Sequence, residues 1–174
     1  FRENRGLGNE IGYYIFDYQP KYELVVRDYI RFIKEKINSG SLGFKIKELD
    51  LYEVMLEILN SKGYLNKNIE MEKTKGSEKV FEATKKTLRL TGQNDLIIQH
   101  IKDNVTKGDI VFLTGVGKAW PIIRSHTILN NLHSAIDEVP VVMFFPGTYD
   151  GLELVLLDGI KDDNYYRAFK LIER

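Results

Sequence analysis

Ile110-Val-Phe-Leu-Thr114 and Val139-Pro-Val-Val-Met-Phe-Phe145 are two continuous apolar runs in the C-terminal half of the chain. Such runs are typical of parallel strands that are covered on both faces. Between them, Pro121 suits a first helical turn, and an apolar stripe at helical spacing would pack on the sheet: Ile122, Leu129, Leu132 and Ile136. The segment predicts a right-handed βαβ unit, in which the loops after Thr114 and Phe145 leave the sheet at the same edge.

The N-terminal part of the chain predicts further strands and helices. Residues 11–16 predict a strand that ends at Asp17, and alternation at 44–47 predicts a second, short strand. A helix from Glu23 is expected between them, because apolar residues recur there at helical spacing: Val26, Ile30, Ile33 and Ile37.

Polar residues mark the starts of three more helices. Asp50, with Glu53 three residues later, is expected to cap a helix that ends near Gly63. Ser77 and Asn94 are expected to cap the next two. These elements bring the chain to the βαβ unit.

The order of elements indicates the fold class. Residues 152–157 predict one more strand, and residues 166–172 fit either a closing strand or a helix. We predict an α/β protein with a three-layer, Rossmann-like, mostly parallel sheet flanked by helices, resembling a P-loop NTPase core without a Walker A motif. Residues 1–174 are expected to form a single domain, and the polar segment 64–76 a mobile excursion from it.

Composition excludes several classes of protein. The chain has 174 residues, 25 basic and 25 acidic side chains and no Cys, so disulfides, thiolate nucleophiles and Cys-ligated metals are excluded. No apolar stretch approaches the roughly 20 residues that span a bilayer. We expect a cytoplasmic protein without a secretory signal, whose natural N-terminus precedes Phe1.

The basic residues are concentrated in one stretch. Residues 61–90 hold eight basic and four acidic side chains, so the rest of the chain is net negative by four charges. A solvated helical face of mixed sign is the ordinary interpretation. Binding of nucleic acid through this stretch is a weaker alternative, because phosphate contacts need a clustered excess of Lys and Arg.

The carboxyl edge of the predicted sheet is where an anion could bind. Asp17 and two loops, Gly115-Val-Gly-Lys118 and Pro146-Gly-Thr-Tyr-Asp-Gly151, would meet there, with Gly115, Gly117 and Lys118 presenting backbone N–H groups and one charge. Arg124, near the start of the next helix, could add a second charge. The alternative is that these glycines only permit a tight turn between strand and helix.

Known nucleotide-binding motifs do not fit this loop. A Walker A motif needs Gly five places before Gly117 and a hydroxyl after Lys118, where the chain has Phe112 and Ala119. The dinucleotide fingerprint needs a third Gly where Trp120 stands. No cofactor is predicted.

No metal site or catalytic residue is predicted either. His126 and His133 share a helix face, but seven residues rise about 10.5 Å, which is too far for two ligands of one zinc ion. Residues 162–164 suit a turn and not a calcium loop. No nucleophile, base and acid can be assembled from the sequence.

An aromatic and basic cluster near the C-terminus is a candidate partner surface. Tyr165, Tyr166 and Arg167 would either pack under the rim of the sheet or form a protein-binding hot spot. Tyr149 and Asp150, in the predicted loop after the last long strand, are added to this candidate surface.

Four blocks of the chain, residues 6–18, 109–133, 140–151 and 164–169, carry a family resemblance. They include Gly12-Tyr-Tyr-Ile-Phe-Asp17, Gly115-Val-Gly-Lys118 and Pro146-Gly-Thr-Tyr-Asp-Gly151. Together they resemble the BrxB family, a small component of the BREX bacteriophage-exclusion systems. The resemblance implies a cytoplasmic accessory protein that works beside a PglZ-type protein of the alkaline-phosphatase superfamily, a DNA adenine methyltransferase and an AAA+ ATPase. It implies no catalytic residue.

Three functions follow as hypotheses. The first is a non-enzymatic assembly subunit that docks the PglZ-type protein. The second is a degenerate nucleotide- or phosphate-binding domain that uses the loop from Gly115 to Lys118. The third is a nucleic-acid-binding subunit that uses residues 61–90.

Overall fold

A computed structural model describes residues 12–90, 92, 94–136, 138–162 and 168–172. Strands and helices alternate along this part of the chain. The strands are β1 (Tyr13–Tyr18), β2 (Ile46–Asp50), β3 (Ile110–Thr114), β4 (Val141–Tyr149), β5 (Leu154–Leu156), β6 (Ile160–Asp162) and β7 (Phe169–Lys170). The helices are α1 (Glu23–Asn38), α2 (Leu51–Ser61), α3 (Leu65–Lys75), α4 (Ser77–Leu88), α5 (Leu96–Asp103), α6 (Val116–Ala119) and α7 (Ser125–Leu132).

Five of the strands form a parallel sheet in the order β2-β3-β4-β1-β7. Val141 of β4 is in register with Val111 of β3 on one side and with Tyr13 of β1 on the other. The predicted parallel pairing of the two apolar runs is therefore confirmed, as is the mostly parallel α/β fold. Of the segment 166–172, the structure describes residues 168–172, and there β7 is a closing strand and not a helix.

Strand β4 is longer than the apolar run predicts. It continues through Pro146 and Gly147 to Tyr149 and pairs with β5, which in turn pairs antiparallel with β6. A Cβ on Gly147 would lie 2.0 Å from the carbonyl oxygen of Val155, so only glycine allows the two strands to approach this closely. The prediction of a ligand loop at 146–151 is wrong for its first four residues.

Side chains alternate between two apolar clusters, one on each face of the sheet. One face is covered by α2, α5, α6 and α7, which pack on Tyr13, Ile15 and the equivalent residues of β3 and β4: Val111, Leu113, Val141, Met143 and Phe145. The other face is covered by α1, through Ile30 and its neighbours, on a second set: Tyr18, Ile46, Ile110, Phe112, Val142 and Phe144. The result is the three-layer arrangement that the sequence predicts.

Two details of the helix starts differ from the prediction. Ser77 is the first residue of α4 and its hydroxyl donates to Glu72, because Gly76 occupies the cap position. Asp95 and not Asn94 caps α5: its carboxylate accepts from the N–H groups of Ile97 and Ile98. Asn and Asp are both good capping residues, so the residue types do not show whether residue 94 or residue 95 caps α5. Only the backbone geometry decides between them.

The crossover segment also differs from the prediction. Two short helices, α6 and α7, replace the single helix that Pro121 was expected to begin, and Pro121 lies between them. The Asp50 cap is confirmed, since the side chain accepts from the N–H groups of Tyr52 and Glu53.

Within the segment 64–76, Leu65–Lys75 form a regular helix, α3, which is joined to α4 as a hairpin. The amide of Asn68 donates to the hydroxyl of Thr84 at 3.0 Å, and both side chains are buried between the two helices. This buried hydrogen bond holds a pair of otherwise polar helices together. The mobility of the segment stays a prediction.

The Asp95 cap allows a test of stability against pH. Burial raises the pKa of Asp95 above its usual range, although the N–H groups of Ile98 and Ile97 and the amide of Asn131 act in the opposite direction. We expect Asp95→Ala to lower the free energy of unfolding by about 1 to 2 kcal/mol, because two N–H groups lose their acceptor. Asp95→Asn keeps the acceptor and removes the buried charge, so it should be neutral or stabilising.

The sign of the pH effect follows from the raised pKa. A carboxyl group with a higher pKa in the folded state contributes less stability as pH rises from its unfolded pKa through its folded pKa. The advantage of Asp95→Asn over the parent should therefore grow across this interval and stay constant above it. Urea denaturation at several pH values measures both variants, and an advantage that shrinks with rising pH would contradict the assignment.

Candidate functional site

A cavity of about 160 Å³ lies between α1 and the carboxyl ends of β1, β2 and β3. It is the crevice that the parallel sheet predicts at this edge. Its polar lining consists of Tyr18, Glu23, Arg27, Arg31, Lys34, Glu48, Asp50, Thr114 and Lys118. Among these are four cationic and three anionic side chains. An anionic ligand could bind here only through cations that are not already paired with carboxylates of the chain.

The loop from Gly115 to Lys118 surrounds a carboxylate of the same chain, that of Asp50. Gly115 has a left-handed backbone, φ +71°, and a Cβ at this position would lie 2.2 Å from Oδ1 of Asp50. The Asp50 carboxylate therefore occupies the space that the absent Gly115 side chain leaves open. Its other oxygen, Oδ2, lies 2.7 Å from Nζ of Lys118.

Two carboxylates balance the positive charge of Lys118. Besides Asp50, Glu53 lies 3.4 Å from the ammonium group, and the aromatic ring of Tyr52 lies beneath it. Burial lowers the pKa of Lys118, but the hydrogen bonds and charges of Asp50 and Glu53 outweigh burial, so its pKa is raised. Lys118 thus stays charged with an acidic pair already in place, and the geometry favours a structural role for this loop.

The other charges of the cavity are also paired, with Arg27 and Arg31 bound to carboxylates within α1. Lys34 of α1 lies 2.6 Å from Glu48 of β2, and the hydroxyl of Thr114 on β3 donates to the same carboxylate at 3.2 Å. The Tyr18 hydroxyl donates to Glu23, and burial together with this carboxylate raises the pKa of Tyr18. Chemically, the cavity is a network that ties α1 to the strand ends.

Gly117 and α6 serve packing. A Cβ on Gly117 would lie 3.3 Å from the ring of Pro146, tighter than most real contacts, so glycine lets α6 lie close to β4. Helix α6 has only four residues. Neither glycine of the predicted anion loop is therefore arranged around an open site.

Asp17 does not line this cavity. It follows Tyr13 and Ile15 on the opposite face of β1, because side chains alternate along a strand. There its Oδ2 accepts from the N–H group of Tyr149 at 3.2 Å and lies 3.4 Å from the ammonium group of Lys170. The prediction that Asp17 and the glycine loop share one crevice is wrong.

Two of the predicted partner-binding residues hold the fold. Tyr149 is only 1% exposed, and its hydroxyl donates to the carbonyl groups of Gly151 and Ala168. Asp150 accepts from the N–H groups of Leu152 and Glu153, which shapes the turn before β5. The buried Tyr149 offers no contact surface, so that prediction is corrected. Three other predicted residues lie outside the described part of the chain: Tyr165, Tyr166 and Arg167.

The histidines of the crossover segment do not come together. The ring of His133 packs on the ring of Tyr13, with centroids 4.1 Å apart, whereas His126 borders a groove on the surface. The described residues contain no group of three His, Asp or Glu side chains that could hold a metal ion.

Arg124 borders the same groove, which has a volume of about 600 Å³. We call it the basic groove. It lies between the end of α4 and the start of α7, and its basic residues are Lys85, Lys86, Arg89, Arg124 and His126. One wall of the groove consists of Lys85, Lys86 and Arg89, which belong to the basic stretch 61–90 that the sequence shows.

A second surface was missed by sequence reasoning. Helix α1 and its N-cap residue Tyr22 expose an aromatic stripe, which we define as Tyr22, Val25, Tyr29 and Phe32. Their spacing of three, four and three residues is the signal that could have found it, because it places all four on one side of a helix. A different side of α1, with Ile30, packs on the sheet.

Comparisons with known proteins show the family of the chain. The family model for "BREX protein BrxB" matches residues 47–171. The chain belongs to the BrxB family. A BREX protein BrxB of Bacillus cereus (strain H3081.97) is 67% identical over 174 residues, which are all of this chain and 90% of the relative.

A more distant BrxB relative also matches. The BREX protein BrxB of Escherichia coli O9:H4 (strain HS) is 33% identical over 172 residues, which are 99% of this chain and 84% of that protein. No solved structure matches the chain. Within the residues that the structure describes, no helix of this BrxB-family chain is long and apolar enough to cross a bilayer.

The close approach of Asp50 to Gly115 predicts a stability difference between two glycines. Gly63 has a similar left-handed backbone, φ +69°, but open space around its α-carbon. We expect Gly63→Ala to cost about 1 to 2 kcal/mol for the backbone alone. Gly115→Ala should cost at least about 1 kcal/mol more, because the Asp50 carboxylate must move. Urea denaturation measures both, and equal costs would contradict the packing of Asp50 on Gly115.

The pairing of Lys118 predicts that nucleotides leave the protein unaffected. A ligand present at 100 times its Kd would stabilise the fold by about 2.7 kcal/mol. Because Asp50 and Glu53 already neutralise Lys118, we expect no shift in melting temperature with nucleotides or pyrophosphate. A shift that disappears in Lys118→Met would instead establish an anion site at this loop.

Proposed function

We propose that this BrxB-family chain is a non-enzymatic assembly subunit of a BREX defence system, works in the cytoplasm and docks a PglZ-type protein. The methyltransferase and the AAA+ ATPase of the system are further candidate partners. The observation that carries the proposal is the aromatic stripe of α1. We interpret it as a protein-docking surface, because a different side of the same helix, with Ile30, already packs on the sheet.

The stripe has the composition of a binding hot spot. Val25, Tyr29 and Phe32 are 65%, 63% and 56% exposed, and the rings of Tyr29 and Phe32 stack with centroids 6.2 Å apart. Exposed aromatic side chains grouped on one surface are uncommon in monomers and mark interaction sites. Aromatic residues also carry most of the energy of protein interfaces.

The edges of the stripe are basic. The ammonium group of Lys21 lies 5.0 Å from the centroid of the Tyr22 ring, and that of Lys36 lies 5.9 Å from the Phe32 ring. Aliphatic stems and cations laid on aromatic rings keep the rings extended along the helix. A partner surface with apolar pockets and an acidic rim would complement this arrangement.

The proposal predicts that Tyr29→Glu with Phe32→Glu abolishes co-purification of the PglZ-type protein from a host that carries the complete defence operon. Loss of one hot-spot side chain typically costs 2 kcal/mol or more, about 30-fold in affinity. The melting temperature should stay close to that of the parent, because both side chains are exposed.

The control is Leu24→Glu, which changes an equally exposed apolar residue of the same helix outside the stripe. It should retain the partner. Retention of the partner by the double variant, with the parent binding normally, would remove the stripe as the docking surface. Absence of every BREX component from the parent's pull-down would refute the assembly function itself.

A further inference from the structure

The basic groove is lined by basic side chains on both walls. Lys85, Lys86 and Arg89 lie on the α4 wall, and Arg124 and His126 lie on the α7 wall. No Asp or Glu is among the described residues that line it. Its floor is apolar and is formed by Leu90, Ile122, Ile123 and Ile128.

The three cations of the α4 wall are available for a ligand. Their side chains are exposed, and none of them forms an ion pair with another described residue. Elsewhere in the same basic stretch, Lys73 pairs with Glu70 and Lys79 pairs with Glu82. Six of the eight basic residues of 61–90 form no ion pair with a described residue, and three of these six, Lys85, Lys86 and Arg89, line the groove.

Arg89 occupies a position that usually belongs to glycine. It ends α4 with a left-handed backbone, φ +56°, where glycine is preferred because a Cβ is strained. Lys85 and Lys86 could be explained by the helix dipole alone, since cations are favourable in a last turn. Arg89 is not explained in this way, because glycine at the same place would stabilise the fold.

The apolar floor distinguishes between two classes of anionic partner. A nucleic-acid backbone presents phosphates and sugars, which gain nothing from Ile122, Ile123 and Ile128. A protein segment can place an apolar side chain on the floor and carboxylates against the α4 wall, the usual division of an interface into an apolar centre and a polar rim. Charge complementarity and the apolar floor together favour a protein.

We propose that the basic groove binds an acidic segment of a partner protein, with Asp or Glu side chains on the α4 wall and an apolar side chain on the floor. The proposal deepens the proposed function and rests on it, since the segment would belong to a protein of the same defence system. The groove and the aromatic stripe lie on opposite faces of the sheet, because α7 packs on one face and α1 on the other. The chain would then contact its partners from two sides.

A photo-cross-linker tests what occupies the groove. Benzoylphenylalanine at Thr127, which lines the groove, is compared with the same probe at Lys75, which is exposed on α3. In cells with the complete operon, the Thr127 probe should capture a BREX protein at a segment with more Asp and Glu than Lys and Arg. Capture of nucleic acid, capture of a segment without acidic excess, or a yield equal to that at Lys75 overturns the proposal.

Charge reversal tests the role of the cations. Lys85→Glu, Lys86→Glu and Arg89→Glu together should reduce the cross-link at Thr127 at least tenfold. The matched control is Lys62→Glu, Lys67→Glu and Lys75→Glu, which makes the same change in net charge outside the groove and should leave the yield unchanged. An equal loss in both triple variants would indicate a general charge effect and would overturn the proposal.

Arg89→Gly separates binding from folding. It relieves the left-handed backbone, so we expect the melting temperature to rise by about 2–4 °C for a chain of this length. The yield of the cross-link should nevertheless fall several-fold. Normal cross-linking by the more stable variant would overturn the proposal, because Arg89 would then have no role in the groove.

The two proposals fail in different ways. If the parent chain brings down no BREX component, the proposed function fails and the groove proposal fails with it. If the parent binds its partner and only the aromatic-stripe variant loses it, while the groove cross-link is absent, then the groove proposal alone fails.

Discussion

Strand β4 is the part of the structure on which the other elements depend. It is hydrogen-bonded to β3 on one edge and to β1 on the other, and its side chains are buried on both faces. Val141 and Met143 face the cluster under α2, α5 and α7, whereas Val142 and Phe144 face α1. A strand that is apolar on both faces must be covered by helices on both sides, because its exposure to water would forfeit the burial of several large side chains.

The carboxyl edge of this sheet shows how a likeness to a phosphate loop can arise without a phosphate site. Asp50 ends β2, caps α2, fills the space over Gly115 and pairs with Lys118. One carboxylate thus occupies the place and neutralises the charge that a bound anion would need. The glycine is required for the approach of this side chain, and the lysine compensates its partly buried charge.

The surfaces that remain for function are on the helices. Aromatic side chains such as Tyr29 and Phe32 are exposed on α1, and cations such as Lys86 and Arg89 are gathered at the end of α4. Neither set is needed by the cores, since Ile30 of α1 already packs on the sheet and Leu88 of α4 is buried in the main apolar cluster. For a BrxB-family protein, two surfaces of different chemistry on opposite faces suit a subunit that holds other components together.

The sequence alone determined the class of the fold, the parallel pairing of β3 with β4, the Asp50 cap and the family. These features follow from hydrophobic periodicity, apolar runs and capping residues, which are all patterns among residues close together in the chain. Cap positions one residue apart, as at Asp95, and the break of the crossover at Pro121 depended on backbone geometry. Only the tertiary structure decided which charges are paired. Asp17, Lys118 and Tyr149 each find their partners on distant strands and helices, and no spacing along the chain records which face of a strand or which loop will meet them.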